Sequence, residues 1–413
     1  MKDSGIEWIG EIPANWNVDK IKFHLRRNEP KNPGNTIVLS LYREFGVIPK
    51  DSRDDNHNVT SEDTSKYKYV QKGDFVVNKM KAWQGSVAVS EYEGIVSPAY
   101  YVYHFTDNIF NKRYFHYLLR GCYKDEFMRL SAGIRVGQWD LSSENLDNTL
   151  VIIPSFYEQE KICDFLDTKC KEIDALTVDI QTQIDILDQY KKSVITEAVT
   201  KGLNKDAELK DSCIFYMAPY NSKWRLSKIG YECTKLWRSF DFEDTALLCT
   251  NKGKVAIRPE EMSGKMVSED NAMQGIRKGD IAIHGMDTWH GAIALSEYNG
   301  KITRVVHVCD SCQDKRFIVY YLQQLAFNGV YKLISNGVRE NTSDFRSWEK
   351  VKNIYIALPD IEEQNNIASY LDILCSKIDQ IIKLKKEQLL ILSDYKKSII
   401  YEYVTGKKEI PNG

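Results

Sequence analysis

One spacing in this chain could hold a metal ion. Cys309-Asp-Ser-Cys312 sets two thiols three residues apart, with His307 just before them. A structural zinc site ordinarily needs a second ligand pair at matching distance. The sequence supplies none, so these residues read as thiols at a strand end and no metal is expected. Other chemistries find less support. No N-P-P-Y or D-P-P-Y motif is present to hold a flipped adenine. No G-x-x-x-x-G-K-[ST] loop is present; Gly264-Lys265 and Gly300-Lys301 lack the earlier glycine and the hydroxyl. The seven histidines form no pair suited to general-base work. No acidic cluster with a partnered lysine marks metal-assisted cleavage of a phosphodiester. No catalytic residue is assigned.

What remains are polar side chains, Arg, Lys, Asn and Gln among them, that can offer donors and acceptors to a ligand. They gather beside glycine-containing turns. In the first half, Asn78, Lys79, Lys81, Trp83 and Gln84 follow an apolar run after a KGD turn. Tyr42, Arg43 and Lys50 form a second group, and Arg135, Gln138 and Trp139 a third, bounded by Gly133 and Gly137. In the second half the corresponding groups are His284, Thr288, Trp289 and His290, then Asn251, Lys252 and Lys254, then Arg339, Asn341 and Arg346. Solvated surface charge accounts for any one of these lysines or arginines equally well, and Trp83 and Trp289 read equally as core aromatics. Their co-location at matching points of both halves is what singles them out.

Those matching points define the scaffold. KGDFVV from Lys72 corresponds to KGDIAI from Lys278, and SEYEG from Ser90 to SEYNG from Ser296, each offset by 206 residues. Trp16-x-x-x-Lys20-Ile21 corresponds to Trp224-x-x-x-Lys228-Ile229, and Lys112-Arg113 to Lys315-Arg316. LSAGIR from Leu130 resembles LISNGVR from Leu333. Between these points the sequences diverge. A common framework with different loops suits two binding modules of different specificity.

The strongest repeat is Glu158–Thr200 against Glu363–Thr405, offset by 205 residues without a gap. Both copies read as helices. Ser155 with Glu158 makes a capping box after Pro154, and Asp360 with Glu363 restates it after Pro359. Gly202 and Gly406 follow the last helical positions, where a left-handed residue ends a helix. Such a helix is about 65 Å long at 1.5 Å per residue, and it needs a partner. Leu166, Ile173, Ile180, Leu187 and Val194 fall every seven residues, as do Leu371, Ile378, Leu392 and Ile399, with Lys385 interrupting the second row. The companion row is read as Ile162, Leu176 and Tyr190 in the first copy and Ile367, Leu374, Ile381 and Tyr395 in the second. Gln183 and Gln388 then sit mid-seam, fixing register, or at its wet edge. Two similar halves of one chain share a pseudo-two-fold axis most simply when the helices pack antiparallel.

Bulk properties agree with a multidomain globular chain. It has 413 residues, 43% hydrophobic and 28% charged, with a formal net charge of −2. That charge argues against a polycation coating nucleic acid, while leaving room for local basic faces. Nine cysteines without framework spacing fit reduced thiols in a cytosol, and neither a signal peptide nor a run of about 20 apolar residues is seen.

The order of these features carries a resemblance. A WIGEIP segment (Trp8–Pro13) and Trp16 come first, then KGD with a β run, then a proline-led helix start with Glu-Gln (Glu158-Gln159, Glu363-Gln364). The long helix ends in YKKS(V/I)I-x-E-x-VT and a glycine. The whole chain is similar to the specificity subunit of type I restriction–modification systems. The second half departs from it, with FYMAPYNSKW in place of WIGEIP, and the C-terminus stops soon after the second helix. The resemblance implies an α+β fold with two target-recognition domains of mixed, β-rich character, each followed by a long helix, the helices forming an antiparallel coiled coil. The expected domains are 1–154 and 204–358 for recognition, and 155–203 and 359–413 for the helices and tail. It further implies a subunit without catalysis that reads a bipartite asymmetric site in double-stranded DNA. The helices would set the gap and dock two methyltransferase subunits, with two restriction subunits completing the complex. No cofactor is expected on this chain, S-adenosylmethionine and ATP with Mg²⁺ belonging to the partners, and the location is expected to be cytoplasmic. The alternative is a coiled-coil scaffold with β-rich protein-binding ends and no DNA role.

Overall fold

The computed structural model describes residues 1–34, 36–43, 45–52, 63–133, 139–259, 272–335 and 344–411. The chain divides into two units, Met1–Ile180 with Glu387–Gly413, and Gln181–Lys386.

Each unit is built on the same antiparallel four-stranded sheet. In the first unit its spatial order is Leu25–Arg27, Tyr100–Phe105, Phe75–Asn78 and Val87–Val89. In the second it is Cys233–Leu236, Val306–Ser311, Ile281–His284 and Ile293–Leu295. The period-2 alternation of a strand divides each central strand between two apolar clusters. Phe75 and Val77 pack with Tyr114, Phe115, Leu118 and Leu119 of the helix Lys112–Cys122. Val76 faces the other way, onto Leu39, Leu41, Ala88 and Val102. In the second unit Ile281 and Ile283 join Phe317, Tyr321 and Leu325 of the helix Lys315–Phe327, while Ala282 joins Leu247, Cys249 and Val255. Both faces are covered, which is why the KGD runs are apolar throughout rather than alternating.

A short two-stranded ladder leads into each long helix. Leu150–Ile153 pairs with Asn17–Lys20, and Tyr355–Leu358 with Arg225–Lys228. The helices span Phe156–Lys201 and Ile361–Val404. The first begins with the expected capping box: Ser155 N donates to Glu158 Oε2 at 3.0 Å and Glu158 N to Ser155 Oγ at 3.3 Å. At the second, Glu363 N donates to Asp360 Oδ1 at 2.8 Å. Each capping-box glutamate also receives an indole N–H, from Trp16 at 3.2 Å and from Trp224 at 3.0 Å. Burial alone would push the Glu158 carboxyl upward, but hydrogen bonds from Ser155, Trp16 and Asn15 outweigh it and hold the group below the ordinary glutamate value.

Within each unit the segments of the two helices run antiparallel. In the first, Phe165 packs on Tyr403 with ring centroids 4.4 Å apart, and Asp174 pairs with Lys396 at 2.6 Å. In the second, Lys191 pairs with Asp379 at 2.6 Å and Lys385 donates to Gln183. Of the heptad row, Leu166, Ile173, Leu371, Ile378 and Ile399 are buried, and Ile180, Leu187, Val194 and Leu392 are half-buried. The companion row is partly wrong. Ile162 and Ile367 are buried, but Leu176, Tyr190, Ile381 and Tyr395 are exposed. The inner row lies one residue further along, at Cys170, Ile184, Ala198, Cys375 and Ile382, with Lys191 and Lys396 half-buried in it. Those lysines reach aspartates on the facing helix, so a charged residue occupies a seam position that an apolar count passes over. Gln183 and Gln388 are exposed at the seam's edge.

A fully buried glutamine ties each helix to its globular part. Gln159 Oε1 accepts from Asn111 N at 2.7 Å, and its Nε2 donates to Ile109 O and Pro154 O at 2.9 and 3.0 Å. Gln364 repeats this with Asp314 N at 3.1 Å, Pro359 O at 3.0 Å and Gln313 Oε1 at 2.8 Å. Beside them, Asp167 accepts from Arg113 and Tyr117 at 2.7 Å each, and Asp372 from Arg316 and Tyr320 at 2.8 Å each.

Candidate nucleic-acid interface

The two principal candidate loops have one backbone and different side chains. After strand Phe75–Asn78, a 3-10 turn spans Ala82–Gln84 and closes on Gly85 at φ +88°. After Ile281–His284, a 3-10 turn spans Thr288–His290 and closes on Gly291 at φ +77°. Both glycines occupy the left-handed region that an L side chain adopts only with strain. The hydrogen bonds match one for one. Ser86 N donates to Lys81 O and Ala292 N to Asp287 O, both at 3.2 Å. Asn78 N donates to Ser86 O at 3.1 Å and His284 N to Ala292 O at 2.9 Å.

The third candidate group is drawn to the first by another shared bond. Leu141 N donates to Lys79 O at 3.0 Å, and Phe345 N to Gly285 O at 3.0 Å. In the first unit this brings Trp139 edge-on to Trp83, with centroids 5.2 Å apart, and Asp140 to Lys79 at 3.0 Å. The bond from Asp140 raises the Lys79 ammonium above its ordinary value against a smaller opposing effect of burial, so Lys79 stays charged. In the second unit it sets exposed Arg346 beside the His284 turn: a Cβ on Gly285 would stand 2.9 Å from the Arg346 Cα. Arg135, Gln138, Arg339 and Asn341 lie outside the described residues.

The second group is brought in only partly. Arg43, exposed at the tip of the hairpin Leu39–Tyr42 and Gly46–Pro49, donates through Nη2 to Gln84 Oε1 at 2.7 Å. Arg120 donates to Arg43 O at 2.7 Å and clamps that tip. Tyr42 is half-buried at the same end. Lys50 follows Pro49 at the opposite end, four strand steps or roughly 13 Å from Gly46. Tyr42, Arg43 and Lys50 therefore do not form one loop. In the second unit Asn251, Lys252 and Lys254 are exposed around Gly253, between strands Leu247–Thr250 and Lys254–Ile257. A Cβ on Gly253 would meet Gln323 Nε2 at 2.4 Å, so this turn rests on the helix Lys315–Phe327.

Individual candidates differ in what they can offer a ligand. Lys81 and His290 are exposed, Gln84 and Trp289 half-buried, Asn78 and Thr288 buried. His284 is held neutral: burial lowers its imidazole below the ordinary value more than Asp287, 3.3 Å away, raises it. Its Nδ1 accepts from Asp287 N at 3.1 Å, so it shapes the turn. Trp83 donates to Met80 O at 3.0 Å, leaving its ring against Trp139. Reading by residue type missed Arg120 and Asp140, whose contribution depends on pairing across 77 and 61 residues of sequence. Met80, 55% exposed at the same turn, was also passed over.

The other chemistry-bearing residues are used structurally. His307 Nε2 bonds Phe345 O at 2.7 Å, Cys309 is buried and Cys312 exposed. Among the described residues no group of three or more metal-ligating side chains comes together. No described helix is long and apolar enough to cross a membrane.

Comparison with known proteins agrees with this architecture. Residues 19–186 match the type I restriction modification DNA specificity domain. A putative type I restriction enzyme MjaX specificity subunit from Methanocaldococcus jannaschii is 23% identical over 97% of this chain and 95% of its own length. The type I restriction enzyme EcoBI specificity subunit of Escherichia coli is 23% identical over 72% of this chain and 66% of its own length. A solved structure of a type I restriction–modification assembly contains a chain that superposes with a TM-score of 0.71 at 13% identity, covering 96% of this chain and all of that one. The HsdS subunit from Thermoanaerobacter tengcongensis superposes with a TM-score of 0.51 at 14% identity over 99% of this chain and all of its own. With its duplicated sheet and paired long helices, the chain has the fold of these specificity-subunit structures, and its residues 19–186 match the type I restriction modification DNA specificity domain.

Proposed function

We propose that this chain is the non-catalytic DNA-reading subunit of a type I restriction–modification complex. Each unit's globular part reads one half of a bipartite, asymmetric site in double-stranded DNA. The paired helices set the gap between the halves and dock two methyltransferase subunits, with two restriction subunits in the full complex. The chain binds no cofactor of its own; S-adenosylmethionine and ATP with Mg²⁺ are bound by the partners, and the complex works in the cytoplasm. The globular parts and the helices act as the separate modules 1–154, 155–203, 204–358 and 359–413.

The observation that supports this most directly is the pair of matched turns at Ala82–Gln84 and Thr288–His290. Their backbones hold the same hydrogen bonds while Lys81, Trp83 and Gln84 stand where the second unit has Asp287, Trp289 and His290. Equivalent placement with different donors and acceptors is what two readers of unlike half-sites need. The partners follow from the relatives' description as type I restriction enzyme subunits. Single-molecule methylome sequencing of the host, with and without the gene, tests the proposal. Deletion should erase adenine methylation at one split motif, and unchanged methylation would refute the function.

A further inference from the structure

A second surface of the second unit, reached from the His284 turn through Val305 and Val306, has the makings of a nucleotide site. After strand Cys233–Leu236 the chain runs back along strand Met273–Ile276, and Arg238 bridges Gly275, with Gly275 N donating to Arg238 O at 2.9 Å. Only glycine permits that approach, because a Cβ at 275 would stand 2.2 Å from Ser239 O. The result is a groove of ≈ 410 Å³ between the two segments, of a size that holds small planar ligands.

Its lining is chemically incomplete. Gln274 is 2% exposed, and its Nε2 donates to Val306 O at 2.6 Å, which fixes the orientation of the amide. The Oε1 so oriented is buried and accepts no hydrogen bond. Folded proteins rarely leave such an acceptor unpaired. Trp237 is 65% exposed, with Lys235 Nζ 4.4 Å from its ring centroid. Arg304 donates through Nε to Met273 O at 2.9 Å, and among the described residues no carboxylate pairs with it. Arg238, by contrast, is neutralised by Asp280 through two bonds of 2.8 Å.

The first unit shows what such a place holds when the chain fills it. Lys68 pairs with Val96 there as Gln274 pairs with Ile302, and Lys68 Nζ donates to Tyr100 O as Gln274 donates to Val306 O. Two residues beyond Arg27 stands Glu29, whose carboxylate is bound by Arg27 at 2.7 Å and by Lys68 at 2.9 Å. Two residues beyond Lys235, the equivalent of Arg27 in strand register, stands Trp237. The first unit thus covers the position with its own anion; the second has an exposed indole, a guanidinium with no carboxylate partner among the described residues and, beneath them, a buried acceptor without a hydrogen bond.

We infer that this groove takes one nucleotide of the second half-site. Arg304 and Lys235 meet the phosphate, Trp237 packs on the sugar or base, and Gln274 Oε1 accepts from an amino-bearing base edge, adenine N6 or cytosine N4. The inference rests on the DNA-reading function proposed above. The probe is a duplex carrying the motif that the wild-type complex methylates, beside a scrambled duplex, with binding measured on the complex assembled with its methyltransferase partner. Trp237→Ala removes an exposed ring and Arg304→Gln keeps a donor-bearing chain, so both should fold, which a melting curve checks. Each should weaken binding to the motif duplex about tenfold, and Gln274→Leu should relax methylation specificity at one base of the second half-site only. Motif affinity within twofold of wild type in both Trp237→Ala and Arg304→Gln, at unchanged melting temperature, overturns the groove alone. A wild-type complex with no preference for the motif duplex overturns the DNA-reading function and the groove with it.

Discussion

Replacing Gln159 with methionine isolates the tie between helix and globular part, because methionine keeps the length of the side chain and removes only its polar atoms. The amide makes three hydrogen bonds, to Asn111 N, Ile109 O and Pro154 O, in a position with no solvent exposure. At about 1 kcal/mol net per bond the loss is about 3 kcal/mol, and partners left unsatisfied in the interior carry it toward about 5 kcal/mol. For a unit of this size about 1 kcal/mol moves Tm by 2–4 °C, so a fall of about 6–20 °C is expected. Differential scanning calorimetry on the intact chain reads it directly. Gln364→Met, which loses bonds to Asp314 N, Pro359 O and Gln313, should cost a comparable amount. A fall of less than about 2 °C in either variant would refute the assignment of these glutamines as the principal polar ties, since the lost bonds alone exceed it.

Three further outcomes are expected. Double-mutant cycles on Lys191 with Asp379 and on Lys396 with Asp174 should each return about 0.2–1 kcal/mol, shrinking as salt is raised, because these pairs are partly solvated; zero coupling at low salt would show that neither pair contributes to the seam. Burial, with Arg120 adding repulsion, lowers the His116 imidazole from 6.5 to about 4. A folded value below the unfolded one leaves its contribution whole above pH 6.5 and lost as pH falls through that window toward about 4, by about 3 kcal/mol at most. Urea titrations should show His116→Gln flattening that slope, and an unaltered slope would place the proton uptake elsewhere. Arg43→Ala and Arg346→Ala should each weaken methylation through a different half of the motif, read by methylome sequencing; identical effects on both halves would argue for general phosphate contact.

Much of the architecture was legible because it rests on local rules. Proline, capping residue and glutamate three positions on announced both long helices, and Gly202 and Gly406 their ends. The offset matches at KGD placed the central strands in both units. Where the reading slipped, the deciding interactions were between segments far apart in sequence. The inner seam row was misplaced because Lys191 and Lys396 occupy it, made tolerable by aspartates on the other helix. Lys50 is close to Arg43 in sequence, yet the second strand of the hairpin carries it to the end away from the turn. Arg120 carried no local signal, being one more polar residue on an amphipathic helix until Arg43 comes to rest on it. The coincidence of the first and third candidate groups was foreshadowed only by their recurrence in both halves.

The first unit is closed by residues of the second long helix: Ile399, Tyr403 and Val404 belong to its core, and Tyr114 donates to Val404 O at 2.8 Å. The second unit is a single uninterrupted stretch, Gln181–Lys386. On the ribosome the reader encoded second can therefore be completed first, while the reader encoded first waits with part of its apolar interior uncovered until Ile399, Tyr403 and Val404 have been made. A premature stop within the final helical turns would damage the amino-terminal reader, some three hundred residues upstream of the lesion, and leave the nearer one intact. Inheritance of defects in this protein should run against the order of its gene.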